Sequence, residues 1–261
     1  MYNKGNRTRG VFLMTRFLKH QEIIDKCERI NQEYEIDPAV FDQIIDDLLN
    51  SELDTEEVIL QGFQLLLKEV DHEIERMETF SGMRPNCFMG CSFCCYFPII
   101  LSKMEARMMF HSIEQFPAER KSAIFNHWET YYESQKEKLQ KGLQMDPEDP
   151  ETKLRYKQLN LPCPMLDPET QLCMAYEVRP IPCRTYLNYG DPQVCAENDM
   201  PDEPFSYEFL YTFYFGAINE LVQVLYENGE DVFVDYPSDA WSYDYLPAWI
   251  QKWREGALHE V

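Results

Sequence analysis

Apolar residues recur every three to four positions along most of the chain, and that period predicts helices. Over residues 21–34, Ile23, Ile24, Cys27 and Ile30 fall on one face, which makes Cys27 a core residue. Asp37-Pro38 reads as a cap with proline opening the next helix, whose apolar face is Val40, Phe41, Ile44, Ile45, Leu48 and Leu49. A longer helix is expected over 55–79, closed by Ser81-Gly82. Phe97 to Leu101 is short and apolar and reads as extended. Ser102-x-x-Glu105 then forms a capping box for a helix carrying Met104, Met108, Met109, Phe110 and Ile113. Further helical patterns cover 118–145, the aromatic stretch from Phe205 to Tyr226, and Ser238 to Glu255. The acidic, proline-broken run from Met145 to Pro150 reads as a solvated linker.

The period fails where cysteine collects. The expected fold is therefore mainly α, a helical frame around an irregular cysteine-rich core. Its segments are a basic arm over 1–20, helices over 21–82, a cysteine cluster domain over 83–200 and aromatic helices over 201–261, with 21–261 forming one compact unit.

Eight of the nine cysteines lie in two groups. Cys87, Cys91, Cys94 and Cys95 are spaced C-x3-C-x2-C-C. Cys163, Cys173, Cys183 and Cys195 follow in proline-rich chain. Thiolates gathered in this way suit zinc or an iron–sulfur cluster, because both favour soft sulfur donors. Adjacent Cys94 and Cys95 in extended chain point to opposite faces, so both serve one metal only if a turn lies between them. Otherwise one ligates and the other faces a second site, a cluster edge or the core. The sulfur suffices for two four-cysteine sites, or for one cluster with spare thiols.

Composition narrows the class. With 16 Phe, 16 Tyr and 4 Trp in 261 residues, the chain can bury a real core without disulfide staples. The odd cysteine count also fits disulfide pairing poorly. No signal peptide or membrane-spanning run is visible, so reduced thiols, a cytoplasmic setting and no membrane partner are expected. A net charge of −22 argues against nucleic acid as a partner. The first twenty residues run against that balance, with five bases and no acid.

A composite pattern runs through both groups. C-x3-C-x2-C-C is followed by C-P-x-L-D at Cys163, Pro164, Leu166 and Asp167, then by C-x-x-Y-x-x-R-P-x-x-C-R at Cys173, Tyr176, Arg179, Pro180, Cys183 and Arg184. Over roughly 83–196 the chain resembles the YkgJ-type cysteine cluster family, described as a zinc- or iron-chelating CxxCxxCC domain. The resemblance implies metal or iron–sulfur binding by the eight cysteines and kinship with the flagellin lysine N-methylases. S-adenosylmethionine is the cofactor this kinship would add, but no glycine-rich loop for it is found. The x3-x2 spacing also occurs in radical S-adenosylmethionine enzymes, although the helical flanks here do not match their repeated βα units.

Arg179 and Arg184 flank Cys183 and are candidates to offset thiolate charge or donate hydrogen bonds to sulfur at the cofactor. The alternative is an arginine–carboxylate pair with Asp167 or Glu177. Tyr176 reads as a core aromatic. Three functions follow: a metal- or cluster-binding protein with a structural, redox or metal-handling site; a cluster-dependent protein-modifying enzyme resembling a lysine N-methylase; and a helical module with structural zinc that binds a protein partner. The x3-x2 spacing and the kinship favour iron–sulfur over zinc.

Overall fold

The computed structural model describes residues 17–258 except Met89 and Glu203, so most of the basic arm lies outside the described residues. Helix α1 spans His20–Glu33 and buries Ile23, Cys27 and Ile30. Helix α2 spans Ala39–Leu49, entered through Pro38, with the Asp37 carboxylate accepting the Ala39 N–H at 3.0 Å. Helix α3, Thr55–Ser81, starts at a capping box between Asp54 and Glu57 and stops at Gly82, whose φ of 65° is the left-handed geometry glycine permits.

Strand β1, Ile100–Ser102, leads into helix α4, Lys103–Glu114, through the Ser102–Glu105 capping box. Met104, Met108 and Met109 are buried, as gap-filling methionines should be. The helical pattern over 118–145 divides at Gln135 into α5, Ala118–Ser134, and α6, Lys136–Gly142. A helix that the pattern did not predict, α7 at Thr152–Gln158, follows the acidic turn and buries Tyr156 and Lys157.

Short elements follow: α8 Ile181–Thr185, β2 Tyr186–Asn188, α9 Gln193–Glu197 and β3 Pro204–Ser206. Strands β2 and β3 pair antiparallel, with Leu187 opposite Phe205. The aromatic helix therefore starts later than its pattern suggests, as α10 at Leu210–Glu227. The pattern over Ser238–Glu255 is not one helix. It splits into α11 Ser238–Trp241, β4 Tyr243–Tyr245 and α12 Leu246–Arg254. Pro247 fits the first turn of α12, where no N–H is needed, and β4 pairs with β1, Leu101 opposite Asp244.

Helix α3 is the centre of the frame. It packs against α1, α2, α4, α8 and α10. Gly62 sits where α10 comes closest; a Cβ there would stand 2.5 Å from Leu221. A smaller cluster of Tyr131, Leu139, Tyr156, Leu161, Tyr245 and Ala248 lies apart from the main core. Arg107 and Lys103 reach the buried Asp239 carboxylate at 2.8 and 2.7 Å, and Arg107 also donates to the Leu258 carbonyl at 2.7 Å, fastening the C-terminal segment to α4. No helix among the described residues is long and apolar enough to cross a membrane. The fold is mainly α, as expected.

Candidate metal centre

The first cysteine group lies in the connection from α3 to β1. Asn86 ties this connection to β2: its N–H donates to the Asn188 carbonyl at 2.7 Å, and its side-chain amide donates to the carbonyls of Tyr189 and Gly190 at 2.8 and 2.9 Å. Phe93–Tyr96 forms one turn of 3₁₀ helix, so a turn does separate Cys94 from Cys95.

The second group comes from three local structures. Cys163 and Cys173 lie on the two arms of a tight hairpin in which Leu166 pairs with Cys173, held by Met174 N–H to Met165 O at 2.8 Å and Asp167 N–H to Leu172 O at 2.9 Å. Cys183 sits in α8 and Cys195 in α9. The hairpin docks on the first group: the Cys163 N–H donates to the Cys95 carbonyl at 2.6 Å, and Ser92 donates to Gln171 at 2.6 Å. Tertiary folding thus brings together two groups far apart in sequence.

The thiols influence one another in a pattern. Cys195 is pushed up to about 11, first by burial and then by Cys87 and Cys91, with Cys94 adding to it. Cys163 is pushed up to about 12 by burial and by Cys173. Cys183 is raised by burial, then by Cys163, Cys94 and Cys173. Cys87, Cys91 and Cys173 are also raised, in each case mainly by burial. Cys94 runs the other way and is pulled down to about 7, chiefly by a hydrogen bond from the Cys95 thiol, with Arg179 and Lys157 helping. The same bond raises Cys95.

Amide donors also point at sulfur. Asn188 gives its backbone N–H to Cys87 Sγ at 3.4 Å and its side-chain amide to Cys195 Sγ at 3.5 Å. The Met165 N–H lies 3.5 Å from Cys163 Sγ. Such donors stabilise thiolate charge in metal sites. Among the described residues, no three Cys, His, Asp or Glu side chains already converge in ligand geometry. The thiols are neighbours, and each has one χ1 torsion through which to close on a metal. Soft, neighbouring, amide-supported sulfurs fit zinc or an iron–sulfur cluster.

The two arginines divide their tasks. The Arg184 guanidinium is buried and spoken for: it donates to the carbonyls of Arg179 at 2.9 Å and Glu177 at 2.5 Å and pairs with Asp71 of α3. Its carboxylate partner is thus neither Asp167 nor Glu177. The Glu177 side chain instead binds Arg120 at 2.6 Å, and the same arginine holds the Met174 carbonyl at 2.7 Å, bracing the turn after Cys173. Arg179 also lies 3.8 Å from the Asp71 carboxylate, and its charge lowers Cys87, Cys94, Cys173 and Cys183 against the burial that raises most of them. It stacks at 4.2 Å on Tyr176, which is 56% exposed and not the core aromatic expected. Cys27 lies apart, buried in α1 and pushed up to about 11 by desolvation.

Three contributors were not foreseen from sequence: Asn188, Lys157 and Asp71. None stands in a motif. Asn188 closes a strand, Lys157 is an ordinary base in a short helix, and Asp71 lies far upstream on α3.

Residues 86–202 match the CxxCxxCC family, described as "Putative zinc- or iron-chelating domain". The chain therefore carries this cysteine cluster domain over that span. No curated protein and no solved structure matches the chain.

Proposed function

From the CxxCxxCC domain that residues 86–202 match, we propose that this protein binds iron–sulfur through thiols drawn from Cys87, Cys91, Cys94, Cys95, Cys163, Cys173, Cys183 and Cys195, four to a cluster, with a redox or structural role. The docking of the second cysteine group on the first, through the Cys163 N–H and the Cys95 carbonyl, carries this reading. Arg179 would offset thiolate charge, and the Asn188 and Met165 amides would donate to sulfur. The x3-x2 spacing favours iron–sulfur over zinc.

The chain's own residues bind and orient in this scheme. The 3₁₀ turn and the hairpin present thiols, the Arg184–Asp71 pair fixes α8 to the frame, and helix packing holds the irregular core in place. A bound cluster would supply one-electron chemistry or a rigid cross-link.

Anaerobically purified protein tests the proposal by metal analysis and absorption. Bound iron with broad absorption near about 400 nm is expected. Colourless protein with stoichiometric zinc would overturn the iron–sulfur assignment while leaving the thiolate site. Protein that takes up neither metal would overturn both.

A further inference from the structure

We infer that an open trough along helix α1 is the docking site of the chain's own basic arm, residues 1–16. The apolar run Val11, Phe12, Leu13 and Met14 would enter the trough, and the arm's bases would meet acids on its rim. Arm docking stands or falls independently of what the cysteines bind.

Two cavities, of about 190 and about 400 Å³, open along α1, and Asn31 lines both. Their helical residues include His20, Ile23, Ile24, Cys27, Asn31 and Tyr34, a spacing that keeps to one side of α1 from its start to its end. At 1.5 Å per residue the two cavities together make a trough roughly 20 Å long. Its opposite wall is Pro204 and Phe205 of β3, then Phe209 and Phe213 at the head of α10. Phe209 stays exposed there. Contiguous open apolar surface of this kind marks an interaction site.

Charge identifies the occupant. Glu28, Glu35 and Asp202 line the trough and are exposed, no Lys or Arg lines it, and none of the three acids pairs with a described cation. The Pro204–Phe213 wall belongs to a stretch, 185–251, that holds thirteen acids and no Lys, Arg or His. The arm is the complement: Lys4, Arg7, Arg9 and Arg16 with no acid, and the apolar run set between Arg9 and Arg16.

Position favours the arm over a separate partner. The described chain begins at Phe17, and His20, which opens α1, already lines the trough. Val11 to Met14 stand six to nine residues before His20, about 20–30 Å of extended chain, which matches the trough's length. Tethering also gives the arm an effective concentration in the millimolar range, so weak contacts suffice. The covered wall lies one strand from the cysteines, since Pro204 stands opposite Asn188 in the β2–β3 pair.

Photocrosslinking of the full chain, with benzoylphenylalanine in place of Phe12, provides the test. At high dilution the product should keep the mass of one chain. Peptide mapping should place the link on Ile24, Phe205 or Phe209, well above the outer side of α1 at Gln21, Asp25 and Gln32. Glu28→Lys combined with Asp202→Lys should lower the yield about five-fold, the effect of losing two exposed ion pairs. Both positions are exposed, so the fold should tolerate the change. Equal labelling of the outer side of α1 would reduce the result to tether proximity and overturn the docking site. A link in the trough at twice the chain mass would assign the trough to a second copy instead. A link elsewhere, no link, or an undiminished yield in the double variant would also overturn the inference.

Discussion

The Arg184 guanidinium closes on the Asp71 carboxylate and so joins the segment carrying Cys183 to the central helix α3. Arg184 is only 3% exposed, and its other donors go to the carbonyls of Arg179 and Glu177. Asp71→Ala leaves that buried cation without its counter-charge. Partial exposure of Asp71 moderates the cost to about 2 kcal/mol. The urea midpoint should fall accordingly. Arg184→Lys should also be destabilised, because one ammonium cannot span the three acceptors that the planar fork reaches.

Arg179 acts on more of the thiols than its neighbour, lowering Cys87, Cys94, Cys173 and Cys183. Arg179→Ala should weaken metal retention against a chelator by roughly 10- to 100-fold. Arg179→Lys should fall between the two, keeping the charge without the fork. Chelator competition monitored by metal release measures this. Unchanged retention with a lowered denaturation midpoint would instead assign Arg179 to its contacts with Tyr176 and Asp71.

In the reduced, metal-free chain, Cys94 should be the first of the clustered thiols to be alkylated. The thiolate is the nucleophile, and Cys94 is held down at about 7 by the Cys95 hydrogen bond, so its labelling should rise through neutral pH. Cys163 and Cys195, held up at about 12 and about 11, should label appreciably only in alkali. Mass-spectrometric mapping of alkylation against pH reads this order. Labelling of Cys163 ahead of Cys94 at pH 7 would contradict it.

Cys27→Ala serves as the contrast. Cys27 packs with Ile23 and Ile30 on the buried face of α1, away from the two groups. The substitution should cost on the order of 1 kcal/mol through lost packing. Metal content per folded chain should match the wild type. A drop in metal content with the fold intact would place Cys27 in the site.

The frame was legible where local chemistry acts alone. Helices α1 to α4 appear where period, caps and the Ser81-Gly82 stop predict them, because amphipathicity and capping are read within a few residues. The pattern misled over 238–255, where Tyr245 falls on the helical period of Trp241, Trp249 and Trp253 yet lies in a strand. Pairing of β4 with β1 decides that segment, and a hydrogen-bond partner more than a hundred residues away leaves no local signature.

The sequence by itself determined the donor chemistry: eight clustered thiols, a helical frame and Cys27 in the core. Ligand type is a property of residue identity and spacing. Tertiary structure alone decided which thiols are neighbours, because loop closure over long separations is set by packing and not by local preference. It seated the Cys163 hairpin on Cys95, brought Asn188 to both Cys87 and Cys195, and set Arg184 and Arg179 together beside Asp71.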